Sequence, residues 1–266
     1  MNTIWHNGTF KDESAAILTA SDRALRGDGV FDTALSINGR IAQGTQHFNR
    51  LIKHANTLNI KISATEKDLL ETAQELLIEN EFTKSRYAIN TVITRGRSAR
   101  GLSIAKDFHP QIIMRASPLP EEFPPIKAII AQNMRRNEGS PLSQIKSINY
   151  GDNILAMIEA EKAGANEAIM LNNAGKMACA TVGNIFITIS GTLYTPPLSD
   201  GAMSGITRAL LLKHHGAQEK SLTPDDLKTA DALYITNSIR GMAAVTSLNG
   251  SPLPKAALNI PKDFHE

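Results

Sequence analysis

Apolar residues recur every third or fourth position through "HFNRLIKHANTL", where Phe48, Leu51, Ile52, Ala55 and Leu58 form one stripe. That spacing predicts a helix, with Thr45 placed to cap it and Arg50 on its polar side. Just before it, "GVFDTALSINGRIAQ" is broken by Asn38-Gly39, a pair that supplies the positive φ angles of a tight hairpin turn. "TIWHNGTF" and "AAILTA" read as short strands. Thr65 with Asp68 has the spacing of a capping box, with Asp where Glu is usual, and opens a second helix running to about Ile78. "RYAINTVIT" and "PQIIMRAS" read as strands separated by the basic loop "RGRSARGLS".

The pattern then breaks. "SPLPEEFPP" holds four prolines in nine residues, and proline disfavours both helix and central strand. The expected organisation is an N-terminal α/β domain at 1–118, a linker at 119–125 and a C-terminal domain at 126–266. The second part offers a strand "IKAIIAQ", a polar strip around Lys146, and a helix from about Ile154 to Ala163 closed by Gly164. Strands "EAIML" and "NIFITI" flank the turn-rich "NNAGK", and "GTLYTPP" follows. A helix near Gly205, another capped by Thr223-Pro224, and a strand "ALYIT" complete it.

Composition narrows the class. Of 266 residues, 42% are apolar, enough for substantial cores. A net charge of +2 from 28 basic and 26 acidic side chains gives no broad basic face for nucleic acid. The single cysteine excludes an internal disulfide framework, and the seven scattered histidines show no zinc spacing. No apolar run approaches the roughly 20 residues that span a bilayer. The start "MNTIWHNGTF" lacks a signal-peptide pattern. A soluble, cytoplasmic protein is expected, without membrane or nucleic-acid partners.

Taken singly, the polar candidates have bland readings. Lys146 reads first as a solvated charge, Arg50 as a surface residue, "GITR" as a helix start and "TNS" as a strand end. Their order is more informative. The chain reads "DRALRGDGVFDT", "HFNRL", "TRGRSARG", "QIKSINYGDNILA", "GNIF", "LYTPPLSDGAMSGITR" and "ALYITNSIRG". From about residue 3 to residue 250 this series resembles the fold-type IV pyridoxal-phosphate enzymes. That family includes branched-chain and D-amino-acid aminotransferases and aminodeoxychorismate lyase.

The resemblance implies a smaller N-terminal α/β domain, a larger C-terminal domain with a barrel-like sheet, and usually a homodimer. It makes Lys146 the lysine that binds the cofactor aldehyde and later moves a proton. A lysine suits both jobs when burial and neighbouring charge lower its pKa. Arg50, in the pattern H-x-x-R-L with His47, corresponds to the arginine on the cofactor phosphate. Ile206 and Thr207 correspond to the helix N-terminus holding the same phosphate, where N–H groups and the dipole favour an anion. Ser238 corresponds to a hydroxyl donor, and Tyr150 to a tyrosine near the cofactor's phenolic oxygen. Arg100 corresponds to the arginine on a substrate carboxylate, with Phe31 and Asn237 also on the substrate side.

One position departs from the family. Five residues before the Asn of "GNIF" its members carry a glutamate that keeps the pyridine nitrogen protonated, and here stands Cys179. A buried thiol stays neutral and offers only a weak hydrogen bond; its ordinary role is a small buried hydrophobe. Elimination needs less from the ring than transamination does, so Cys179 leans toward lyase chemistry by analogy with eliminating enzymes of another fold. Asn237 leans the same way. Leu102 follows neither the D-amino-acid enzymes nor the lyases, and Asp32 does not decide. The favoured reading is release of pyruvate from 4-amino-4-deoxychorismate to give 4-aminobenzoate. The alternatives are an aminotransferase on D-amino or branched-chain amino acids, and a cofactor-binding protein without turnover.

Overall fold

The computed structural model describes residues 2–104 and 108–254. Among these the chain forms two compact units, one of residues 2–121 with Lys146–Asn149, the other of Glu122–Ile145 with 150–254. The short lysine segment is thus grouped with the first unit although it is flanked in sequence by the second.

In the first unit six strands lie in the order β2-β1-β6-β5-β3-β4, every pair antiparallel. They are β1 (Thr3–His6), β2 (Thr9–Asp12), β3 (Gly29–Ile37), β4 (Arg40–Ile41), β5 (Arg86–Thr94) and β6 (Gln111–Pro118). Asn38 and Gly39 take φ values of 49° and 78°, the turn anticipated between β3 and β4. Helices α1 (Gly44–Thr57) and α2 (Glu66–Glu79) pack on one another, α1 against β3 and α2 against β1 and β6. Both bonds of the Thr65–Asp68 capping box form.

Three expectations fail here. "TIWHNGTF", expected as one short strand, is the hairpin of β1 and β2, turning at Asn7 and Gly8, which both take positive φ. Residues 15–20, expected as a strand, form none; the segment runs between two turns, closed by Ala15 N–H to Asp12 C=O at 3.0 Å and Asp22 N–H to Thr19 C=O at 2.9 Å. Thr45 is not the cap of α1: the helix begins at Gly44, after Gln43 in the left-handed region. A Cβ on Gly44 would come within 2.5 Å of Leu70 Cδ1, so the missing side chain lets α2 close on the start of α1.

The second unit is a curled, half-barrel sheet matching the expected barrel-like domain. Its strands are β7 (Ile126–Arg136), β8 (Glu167–Asn172), β9 (Met177–Ala180), β10 (Asn184–Ile189), β11 (Thr192–Thr195), β12 (Gln218–Glu219), β13 (Ala232–Asn237), β14 (Gly241–Leu248) and β15 (Ser251–Pro252). The order is β12-β11-β10-β13-β14-β7-β8-β9, with β15 on β14. Helix α3 (Gly151–Lys162) places Ala156 and Ala160 on Ile129, Ala168 and Met170, while α4 (Ile206–His214) places Leu211 on Phe186, Tyr234 and Met242. The other face packs Ile185, Ile187, Leu233 and Ile235 into a separate core. Burial on both faces explains why "NIFITI" and "ALYIT" read as unbroken apolar runs. Helix α3 starts at Gly151, earlier than expected, and Thr223-Pro224 opens only a short 3₁₀ turn, Pro224–Lys228.

Candidate active site

In the first unit the site grows from one face of α1. His47, Arg50 and His54 stand three and four residues apart, so their side chains share a face. His47 Nδ1 lies 2.8 Å from Asp32 Oδ1 on β3. Arg50 donates from Nε to Asp32 Oδ2 at 2.8 Å and from Nη2 to Oδ1 at 2.7 Å. Burial alone would raise the Asp32 carboxyl, but the Arg50 charge and the bonds from His47 and Arg50 hold it well below the usual carboxylate range. A forked bidentate pair fixes the guanidinium in orientation as well as in place. Arg50 is therefore no free surface residue; its side chain is 11% exposed.

Lys146 lies beside this network. Its segment pairs with β3 through Phe31 N–H to Lys146 C=O at 2.8 Å and Ile148 N–H to Gly29 C=O at 3.0 Å. The amine sits 4.0 Å from the centre of the Phe31 ring, in cation–π geometry. Lys146 and Phe31 are half-buried. The Lys146 N–H donates to His54 Nδ1 at 3.1 Å. Burial, then the Arg50 charge, push the His54 pKa down to about 4, so its imidazole is neutral at physiological pH.

Arg100 is exposed on the loop after β5. Arg26 holds that loop through the Gly101 carbonyl at 2.9 Å, and Arg23 reaches the Gly101 and Leu102 carbonyls. Asp28 takes both Arg23 and Arg95, tying the loop's base to the start of β3.

In the second unit "GNIF", "SGITR" and "ITNS" converge. Asn184 pairs across the sheet with Thr236 and donates to the Met203 carbonyl at 2.8 Å. A Cβ on Gly205 would fall 2.1 Å from Asn184 Oδ1, so only glycine admits this approach. Gly205 caps α4 without a side-chain bond and no acid stands in the first turn, leaving Ile206 and Thr207 at an N-terminus suited to an anion. Ser238 begins the turn after β13. Asn237 Oδ1 accepts from the N–H groups of Ile239 at 3.0 Å and Arg240 at 2.9 Å, so that end of its amide closes the turn.

Tyr150 is the N-cap residue of α3. Cys179, opposite Met170 in the β8–β9 pair, is buried among Ala131, Ala156, Met170 and Ala178. Burial raises its thiol pKa, against a smaller pull from Arg136, so the group is neutral. Glu167, which sequence reasoning passed over, accepts from Thr181 N–H at 2.9 Å and from its hydroxyl, and Asn153 Nδ2 donates to the Thr181 carbonyl at 2.7 Å. These bonds secure the turn between Cys179 and Asn184. Burial raises the Glu167 pKa, with the Thr181 hydroxyl opposing it.

Each unit holds donors of a kind that fits a phosphorylated aldehyde cofactor: the first an arginine held in a fork and a lysine amine over an aromatic ring, the second a helix N-terminus without a side-chain cap. Comparison with known proteins identifies the family. The family model for amino-transferase class IV matches residues 29–248. A putative branched-chain-amino-acid aminotransferase of Methanocaldococcus jannaschii is 34% identical over 255 residues, 93% of this chain and 88% of that protein. D-alanine aminotransferase of Bacillus licheniformis is 28% identical, covering 96% of this chain and 91% of its own. The crystal structure of a putative 4-amino-4-deoxychorismate lyase from Legionella pneumophila superposes with a TM-score of 0.83 at 28% identity, covering 91% of each chain. The chain belongs to the class-IV aminotransferase family, whose enzymes use pyridoxal phosphate.

Proposed function

We propose that this enzyme is a lyase that releases pyruvate from 4-amino-4-deoxychorismate and leaves 4-aminobenzoate. The observation that carries the reading is Cys179, a neutral thiol among apolar side chains where the family resemblance calls for a carboxylate. Pyridoxal phosphate, when bound, supplies an electron sink for negative charge at the reacting carbon. A neutral thiol at position 179 would not hold a proton on that group's ring as a carboxylate would, and would suit a reaction in which a neighbouring bond breaks as the proton leaves.

In this reading Lys146 is the covalent attachment point, and its released amine takes the proton from the substrate carbon that bears nitrogen. The neighbouring C–O bond breaks, pyruvate departs as its enol, and the ring becomes aromatic. Arg50 in the first unit, and Ile206, Thr207 and Ser238 in the second, are assigned to the phosphate. Tyr150 is assigned to the cofactor's phenolic oxygen. Arg100, Phe31 and Asn237 are assigned to the substrate, Arg100 to a carboxylate. Asn237 would meet the substrate through Nδ2, since its Oδ1 serves the turn.

A second reading, an aminotransferase for branched-chain or D-amino acids, is favoured by the 34% identity to the Methanocaldococcus protein. The two separate on products. Purified holoenzyme given 4-amino-4-deoxychorismate should form 4-aminobenzoate; glutamate from leucine or D-alanine with 2-oxoglutarate, without any 4-aminobenzoate, would overturn the proposal.

A further inference from the structure

We infer that His54 is a positioning residue that fixes the main chain at Lys146 and so aims the lysine amine. The inference rests on reading Lys146 as the cofactor lysine. The direction of a side chain is set by its Cα–Cβ bond, which is fixed once the peptide groups on both sides are anchored. At Lys146 the following carbonyl is anchored by the main-chain N–H of Phe31, a bond that any residue at 31 except proline can make. The preceding N–H is anchored by a side chain, His54 Nδ1, at 3.1 Å. The lysine's direction is therefore open to substitution at 54.

The arrangement is suited to this task. His54 is 5% exposed, so water cannot readily replace it as acceptor. Accepting at Nδ1 requires the tautomer with its proton on Nε2. His54 also shares a helix face with His47 and Arg50, which grip Asp32 on β3. One face of α1 thus orients both the arginine assigned to the phosphate and the lysine segment.

The test uses His54→Ala and His54→Asn, since an Asn Oδ1 stands in for Nδ1 on the same Cγ. In the cofactor-free protein, NMR should show the Lys146 amide exchanging about tenfold faster in His54→Ala, the loss of a single hydrogen bond, and near the wild-type rate in His54→Asn. In the loaded enzyme, the pH midpoint of the cofactor's visible absorbance should move in His54→Ala and return in His54→Asn. Unchanged exchange and midpoint in a folded His54→Ala would overturn the assignment. If that variant fails to fold, nitrogen NMR of wild-type histidines decides: a proton on Nδ1 of His54 would contradict the proposal. Borohydride labelling of another lysine would sink the reading of Lys146, while amide exchange would still judge His54.

Discussion

Arg50 and Arg100 are both arginines in short basic motifs, yet their surroundings predict opposite behaviour. Arg50→Ala leaves the buried Asp32 carboxylate to His47 and the Thr33 N–H, so cofactor-free protein should lose stability in chemical denaturation, by less than the about 3–5 kcal/mol of a wholly uncompensated buried charge. Its affinity for pyridoxal phosphate should fall about tenfold or more, the scale of one charge-assisted contact. Arg100→Ala, on an exposed loop, should change stability by no more than about 0.5 kcal/mol and leave cofactor affinity near wild type. Equal cofactor affinities in the two variants would show that one is misassigned. A second substitution probes the missing carboxylate: Cys179→Glu should gain glutamate formation from leucine or D-alanine with 2-oxoglutarate relative to 4-aminobenzoate release. A new acid among Ala131, Ala156 and Met170 is costly until paired, so this variant's melting temperature should depend more on bound cofactor than the wild type's. An unchanged product ratio in a loaded, folded variant would remove Cys179 as the cause.

At the scale of elements, α1 carries a pH dependence. The His54 pKa falls from an ordinary 6.5 to about 4, through burial first, then the Arg50 charge, with Lys146 and Lys53 adding and Asp32 opposing. Between these values the unfolded chain holds a proton that the folded chain does not, so stability rises with pH there. Denaturation free energy should therefore drop on acidification from about pH 6.5 to 4, and His54→Asn should drop less steeply. An identical profile in the two proteins would contradict the neutral, buried imidazole. Much of this helix was legible: the Phe48–Leu51–Ala55 stripe is local, as is the Asn38-Gly39 turn before it. Its chemistry was not. Arg50 finds Asp32 eighteen positions away and His54 finds Lys146 ninety-two positions away, so helical spacing alone gave a surface arginine and no role for His54. Strand β9 escaped because "MACA" is buried at every position and shows no alternation. Strand β14 escaped because small and polar residues interrupt its apolar pattern.

For the whole molecule, ordered motifs from residue 3 to residue 250 identified the family, while the grouping of Lys146–Asn149 with the first unit needed the structure. No helix among the described residues is long and apolar enough to cross a membrane. The outer side of α3 leaves Ile154, Leu155 and Ile158 between 39% and 56% exposed, a row that a second copy can bury. Sedimentation should give a species of twice 28.8 kDa, and Leu155→Glu with Ile158→Glu should shift it toward the single chain. A wild-type monomer at micromolar concentration would contradict the homodimer implied by the family resemblance.

A class-IV framework lacking the carboxylate at position 179 is expected to eliminate rather than transaminate. The decisive quantity is the initial rate of 4-aminobenzoate release from 4-amino-4-deoxychorismate by the loaded wild-type enzyme. It is set against glutamate formed from leucine or D-alanine with 2-oxoglutarate under the same conditions. Release of 4-aminobenzoate should be the faster. Glutamate formation that outpaces 4-aminobenzoate release would contradict it.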